Sequence, residues 1–411
     1  MNIWLINHYA VPPVYYPLAR TTNFAKYLMR MGHNVVIFAA SSVHNSSINL
    51  ITDDALYRQE IVDGITYVYV RCSSYYNNGK QRIINMFEFP RRLKKICKYF
   101  DKPDAIVASS ATPPACMAGL KIAKKYGARA VAEISDLWPE SFVDYGLISR
   151  KNPFLRFMYG YEKQMYQEAD ELIFTAEGGY DYICERGWQK SIPREKVHYI
   201  NNGVDREIFD FNQAHYQIND KDLKDEKIFK VVYTGSIRKV NNLGLLLNVA
   251  KEISDPKIKF LIWGDGDELP ALQKRVIDER IDNVLFKGRV EKKYVPYITS
   301  CADLNIAHNN SVPLFRFGIS FNKIFDYMAA GKPILSDFPC KYNPAVQVKA
   351  GIDISEPTAT NIAKAIEYFV TLDTEEYQRF CANARKGADV FDFQNLTKKL
   401  VDVILSACKN K

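Results

Sequence analysis

Short runs rich in β-branched and aromatic residues alternate along most of the chain with longer stretches of helical periodicity. That alternation is the pattern of β-α-β units around a parallel sheet. In the first half it predicts strands at 3–7, 35–39, 66–71, 105–108, 130–134 and 171–175. Between the first two, residues 20–31 place Phe24, Tyr27, Leu28 and Met31 on one helical face, and Gly32 supplies the positive φ that favours a helix end. The pattern restarts after a polar stretch, with strands at 230–234, 259–263, 284–287, 304–307 and 334–336. We therefore expect an α/β protein of two Rossmann-like halves. The expected divisions are 1–210, a linker at 211–227, a second half at 228–390, and a C-terminal helix at 391–411 packing back on the first half.

Composition narrows this picture. The chain has 411 residues, 47% of them apolar and 25% charged, enough for two cores of ordinary make-up. No apolar run approaches the roughly 18 residues that span a bilayer, and residues 1–10 enter a strand pattern without a basic leader. The expectation is a cytoplasmic protein. Its eight cysteines are scattered, with no Cys-x-x-Cys pair and no histidine cluster of metal-ligand spacing, so reduced thiols are expected. Much of the net charge of +8 is local: Arg82, Arg91, Arg92, Lys94, Lys95 and Lys98 face only Glu88 between 81 and 100. Phe87, Phe89, Leu93, Ile96 and Tyr99 interleave with them. Such a segment reads as a solvated amphipathic helix, or as one that meets anionic lipid at the inner face of the membrane. Nucleic acid fits less well, because no DNA- or RNA-binding motif accompanies it.

Ligands of open parallel sheets bind outside the carboxyl ends of the strands, so two facing halves would make a cleft with a site on each wall. Three glycine turns follow strands in the second half, at 234–239, 263–267 and 287–290. Singly, each is ordinary turn chemistry. A fourth segment runs Arg316-Phe317-Gly318-Ile319-Ser320-Phe321-Asn322-Lys323-Ile324-Phe325-Asp326, then reaches Ala329-Ala330-Gly331 before the next strand. It reads as a glycine-containing loop and a helix from about Asn322. Amides at that helix start suit a diphosphate, Lys323 adds charge, and Asp326 one turn on can accept from ribose hydroxyls.

The order and wording of these segments resemble glycosyltransferase family 4. Further matches are residues 31–35 (Met-Gly-His-Asn-Val), 133–141 (Glu-Ile-Ser-Asp-Leu-Trp-Pro-Glu-Ser) and 200–205 (Ile-Asn-Asn-Gly-Val-Asp). The Asp-Leu-Trp-Pro-Glu-Ser wording is similar to a subgroup acting in capsule and O-antigen assembly, including fucosamine-type transferases. The resemblance implies the GT-B fold, retention of anomeric configuration, a nucleoside diphosphate sugar as donor (a UDP-sugar), a lipid-linked glycan as acceptor, and no metal or other cofactor. It implies a donor site from Gly235, Ser236, Arg238, Lys239, Gly264, Arg289, Val290, Gly318, Ile319, Ser320, Asn322, Lys323 and Asp326, with Arg238 and Lys323 also catalytic. In the first half it implies Asp136 as a catalytic group and His8, Arg20, Trp138 and Glu140 on the acceptor side. Asp136 could equally cap the segment that follows it. Three departures stand out. Gly318 occupies the first glutamate position of the family's Glu-x7-Glu pattern, Ser236 and Asn241 stand where an Arg and a Lys are common, and residues 14–18 lack the usual first-loop glycine.

Asp265-Gly266-Asp267 has the Asp-x-Asp spacing that holds manganese in other glycosyltransferases, but a strand-to-helix turn favours Asp as a turn residue. His308, after a strand, is either a satisfied structural residue or a site group. Two rival functions remain open: a UDP-sugar 2-epimerase, and a non-catalytic sugar-nucleotide-binding subunit. An NAD dehydrogenase is disfavoured, since no Gly-x-Gly-x-x-Gly follows the first strand.

Overall fold

The computed structural model describes residues 1–15, 19–44, 46–75 and 79–406. Residues 16–18 of the first loop and 407–411 of the expected C-terminal helix lie outside them. The first unit is built on β1 (Asn2–Ile6), β2 (Asn34–Ala40), β3 (Tyr57–Val62), β4 (Ile65–Val70), β5 (Ala105–Ser109), β6 (Arg129–Ile134), β7 (Glu171–Phe174) and β8 (Val197–Tyr199). They form one sheet in the order β3-β4-β2-β1-β5-β6-β7-β8, parallel except where β3 runs against β4. The second unit holds β9 (Phe229–Thr234), β10 (Ile258–Trp263), β11 (Val284–Gly288), β12 (Leu304–Ala307), β13 (Ile334–Ser336) and β14 (Gly351–Asp353). Their order is β11-β10-β9-β12-β13-β14, with parallel pairing throughout. Two parallel-sheet α/β domains are thus present, as the periodicity predicts.

The strands not foreseen have a common cause. β3 reads Tyr-Arg-Gln-Glu-Ile-Val at the sheet edge and none of its residues is fully buried, while β8 and β14 are three-residue edge strands. Edge positions need no buried apolar run, so they leave little hydrophobic signal. Central strands do: β1 and β5 are buried over nearly their whole length.

Contacts divide the chain between Asn201 and Asn202, and the helix Phe393–Ser406 belongs to the first unit. There Phe393 meets Phe24 edge to face at 5.5 Å. The division falls before residue 210, and the stretch expected as linker is structured. Asp205 caps the helix Arg206–His215 by accepting from the Ile208 amide, and the short helix Lys221–Lys224 buries Leu223 against the second sheet. Lys287 fastens that helix through ion pairs to Asp220 and Asp222, at 2.8 and 2.5 Å. The polar composition that suggested a linker reflects caps and ion pairs.

Candidate functional site

The loops after β9, β10 and β11 are laced together by backbone hydrogen bonds. The Gly235 amide donates to the Trp263 carbonyl (3.0 Å), Ile237 to Asp265 (2.9 Å) and Gly264 to Gly288 (2.9 Å). This lacing requires glycine for a reason beyond turn geometry. A Cβ on Gly264 would stand 1.8 Å from the Gly235 carbonyl oxygen, and one on Gly266 2.1 Å from that of Ile237. No side chain fits there. Asp265 accepts from the Gly266 amide at 2.8 Å, the turn role expected of it.

The helix Asn322–Ala330 follows Gly318, whose φ of 101° places it in the region that favours glycine. Phe321 at the N-cap offers no side-chain hydrogen bond, while Gly331 closes the far end in the left-handed conformation. Lys323, in the first turn, lays its Nζ 4.2 Å from the centre of the Tyr233 ring. The same atom lies 3.1 Å from where a Cβ on Gly235 would be. Among the described residues Lys323 has no hydrogen-bond or ion-pair partner. Burial pushes its ammonium from 10.5 down to about 8, against the opposing pull of Asp337. An unpaired cation, a helix N-terminus and a glycine turn converge here, and each attracts an anion.

Ser236 and Asn241, which replace the Arg and Lys common in relatives, bond to each other: Ser236 Oγ donates to Asn241 Oδ1 at 2.9 Å. Tyr233 in turn donates its hydroxyl proton to the Ser236 carbonyl (2.9 Å), which holds the turn over Lys323. Arg238, Lys239 and Arg289 are exposed and form no ion pair among the described residues, so they stand available at the rim. Val290 packs on the small core below β10, and Ile319 is buried. Ser320 is engaged through its carbonyl, which accepts from Asn202 Nδ2 at 2.9 Å. Asn322 is exposed. Asp326 is ion-paired with Lys292, a partner that sequence spacing did not suggest. His308 is a structural residue, buried between the Asp337 carboxylate and the Asn242 carbonyl, to which its Nε2 donates at 2.9 Å.

In the first unit Asp136 follows β6, and desolvation by the surrounding chain raises its carboxyl above the ordinary value. It makes no cap hydrogen bond to the helix Glu140–Asp144. Trp138 is half-buried, with Phe142 edge-on at 4.3 Å.

The other acceptor-side expectations fall on side chains engaged within the first unit. His8 is buried, Nε2 2.6 Å from Asn85 Oδ1 and packed on Phe89, and burial lowers its pKa to about 4. Arg20 is taken up by Glu133 (2.6 Å) and by the carbonyls of Ile200 and Asn201 (2.9 and 2.6 Å), so it joins the first helix to β6 and to the end of the unit. Glu140 has no exposed surface. Burial disfavours its charge, yet hydrogen bonds from Tyr159 and Arg150, with Arg186 nearby, hold its carboxyl below the usual range. All three side chains are held by partners distant in sequence or by neighbouring elements of the first unit.

Comparison with known proteins agrees with this fold. The Glycosyltransferase Family 4 profile matches residues 19–208, and the Glycosyl transferases group 1 profile matches residues 216–387. Two curated relatives are named as glycosyltransferases: WbjE of Pseudomonas aeruginosa, 22% identical over 263 residues, and TuaH of Bacillus subtilis, 25% identical over 217 residues and named for teichuronic acid biosynthesis. The matched stretch covers 63% of this chain and 63% of WbjE, and 50% of this chain and 50% of TuaH. Among solved structures, HepE of Anabaena in complex with UDP superimposes with a TM-score of 0.65 at 15% identity, over 99% of this chain and 100% of that one. At that identity the likeness is one of fold. Two α/β domains in this order, matched by these two profiles, make the chain a member of the glycosyltransferases of GT-B type, with a Family 4 domain followed by a group 1 domain.

Proposed function

We propose that the protein moves a sugar, with retention at the anomeric carbon, from a UDP-sugar to a hydroxyl of a lipid-linked glycan during assembly of a bacterial surface polysaccharide. The observation that carries the donor side is Lys323: an unpaired ammonium at an uncapped helix start, beside the glycine turn after β9. The structures of HepE with UDP and with UDP-glucose support the choice of donor, and the names of WbjE and TuaH support the setting.

In this reading Lys323, the Arg238 guanidinium and the amides at the helix start stabilise charge on the departing diphosphate, where preorganised donors are most effective. These protein groups replace a metal ion in that task. Asp326 exchanges its ion pair with Lys292 for the ribose hydroxyls, and Arg289 and Val290 border the base. Gly235, Ser236, Lys239, Gly264, Gly318, Ile319, Ser320 and Asn322 shape the surrounding loops. Asp136 and Trp138 face the acceptor, Asp136 orienting or deprotonating its hydroxyl.

A thermal-shift screen of nucleotide sugars, followed by assay of UDP release with membrane extract, tests the proposal. UDP-sugars should raise the melting temperature, Asp326→Ala should weaken UDP about tenfold through loss of charge-assisted hydrogen bonds, and UDP release should require extract. Formation of an epimer from UDP-N-acetylglucosamine without acceptor would establish the 2-epimerase instead. Normal UDP binding with no release from any donor would leave a binding subunit.

A further inference from the structure

The turn that carries Arg238 and Lys239 runs from the end of β9 to the helix Gly244–Glu252, and a buried side chain holds each of its ends. At its start the Tyr233 hydroxyl donates to the Ser236 carbonyl (2.9 Å). At its end Asn242 takes the left-handed conformation (φ 52°, ψ 42°), and His308 Nε2 donates to its carbonyl at 2.9 Å. Asparagine enters that region more readily than most residues, though only singly. Between these points the Asn241 and Asn242 amides donate back to the carbonyls of Arg238 and Lys239 (2.8 and 3.2 Å). The path of the backbone at Arg238 therefore depends on where Asn242 is fixed.

His308 is fixed in turn from the other side of its ring. Its Nδ1 meets Asp337 Oδ2, and neither side chain has exposed surface. The second carboxylate oxygen, Oδ1, is buried without a hydrogen-bond partner among the described residues. Asp337 also acts on Lys323, whose charge it favours against the effect of burial. The Tyr233 ring stands among the three, with Lys323 Nζ 4.2 Å from its centre and the His308 ring edge-on at 6.4 Å. Tyr233 comes from β9, His308 from the end of β12 and Asp337 from the end of β13. On the helix of Lys323 itself, Asp326 is paired with Lys292 and the Tyr327 hydroxyl with Thr234. One buried pair thus reaches both Lys323 and the turn of Arg238. Net stability is a poor reason for such a pair, since taking its two members out of water offsets their attraction.

We propose that His308 and Asp337 are positioning residues of the diphosphate site: His308 holds the Arg238 turn through the Asn242 carbonyl, and the Asp337 carboxylate, oriented by His308, is the counter-charge of Lys323 while no anion is bound. The inference rests on the donor site proposed above and adds to it two side chains that touch no substrate. Its mechanical and electrostatic parts separate in experiment. Loss of the imidazole frees the turn, whereas loss of the carboxylate charge lets the Lys323 ammonium give up its proton earlier as pH rises.

The test uses the full chain, with UDP as probe in calorimetry from pH 6 to 9, and without ligand in amide hydrogen exchange and in titration of isotope-labelled lysine. Asp337→Asn keeps the shape of the side chain and removes its charge. In the ligand-free chain it should lower the Lys323 titration by about one pH unit, and the loss of UDP affinity expected above pH 8 should begin about one unit lower, with no loss at pH 6. His308→Leu should speed exchange of the amides at 238–242 and weaken UDP about tenfold already at pH 6. His308→Gln retains a donor near the place of Nε2 and should recover most of that affinity. In an Arg238→Ala background His308→Leu should add little, because the imidazole acts through that turn. Should His308→Leu fail to fold, Asp337→Asn decides alone. A Lys323 titration unmoved by Asp337→Asn, additive losses in the Arg238→Ala background, or unchanged UDP binding in both variants would overturn the proposal. No binding of UDP by the wild-type chain would overturn the donor site and this role with it, whereas wild-type binding matched by the variants overturns the pair alone.

Discussion

Lys323→Met should make the ligand-free protein more stable and the proposed nucleotide site nearly inert. The lowering of the Lys323 ammonium from 10.5 to about 8 amounts to about 3 kcal/mol of destabilisation at neutral pH, at about 1.4 kcal/mol per pH unit. The Tyr233 ring beneath the ammonium returns about 1–2 kcal/mol of this. Methionine keeps the length of the side chain and removes the charge, so a net gain of about 1–2 kcal/mol is expected in urea unfolding at pH 7. Below pH 8 the wild-type penalty is complete, because lysine is protonated in both folded and unfolded chains. Between about 8 and 10.5 the unfolded chain holds the extra proton, so wild-type stability rises with pH and approaches that of the variant. UDP should show the opposite preference. The ammonium must be charged to meet the diphosphate, so wild-type affinity should weaken above pH 8, whereas the variant should bind about 50-fold more weakly and show little pH dependence there. Urea titrations and UDP thermal shifts at pH 7 and 9.5 measure both effects. A variant less stable than wild type at pH 7, or one that binds UDP equally well, would refute the placement of Lys323 as an unpaired cation awaiting an anion.

Gly264→Ala puts a Cβ 1.8 Å from the Gly235 carbonyl at a φ of 155°, so the two turns must separate. The expected cost is about 3 kcal/mol or more in urea unfolding, with loss of the UDP shift; a cost under about 1 kcal/mol with normal UDP binding would show that the lacing is dispensable. Glu162 lies buried, accepting from the hydroxyls of Tyr166 (2.6 Å) and Tyr182 (2.7 Å), and burial outweighs those bonds and pushes its carboxyl up to about 8. The folded chain therefore keeps a proton that the unfolded chain releases near 4.5, and stability falls as pH rises between those values, by at most about 1.4 kcal/mol per pH unit from this group. Glu162→Gln should flatten that slope in melting temperatures taken from pH 5 to 8, and an unchanged slope would place its origin elsewhere.

Much of the proposed donor side was legible as structure because its signals are local. A helix start at Asn322, a left-handed stop at Gly331 and glycines at or just past the ends of β9, β10 and β11 all lie within a few residues of the elements they punctuate. The same holds for the central strands, whose burial writes a continuous apolar run. The acceptor-side residues were less legible, since His8, Arg20 and Glu140 have types suited to sugar recognition and equally suited to internal bonding. Arg20 is claimed by Glu133, 113 positions away, and His8 by Asn85, 77 positions away, and no local spacing records either pairing. Tyr233 and Asp337 were passed over for the related reason that strand residues near β9 and β13 look like core until the helix bearing Lys323 is laid against them.

By itself, then, the order of residues determined two parallel α/β halves, the turns at their strand ends, and the glycine turns and helix start at which a diphosphate is proposed to bind, because periodicity, helix stops and turn chemistry act over one or two elements. Tertiary structure alone decided which polar groups remain unpaired, why Gly264 and Gly266 must be glycine, and that Phe87 stays at the surface while Phe89 enters the core. These depend on the approach of segments far apart in sequence, and pairing and burial are properties of that approach.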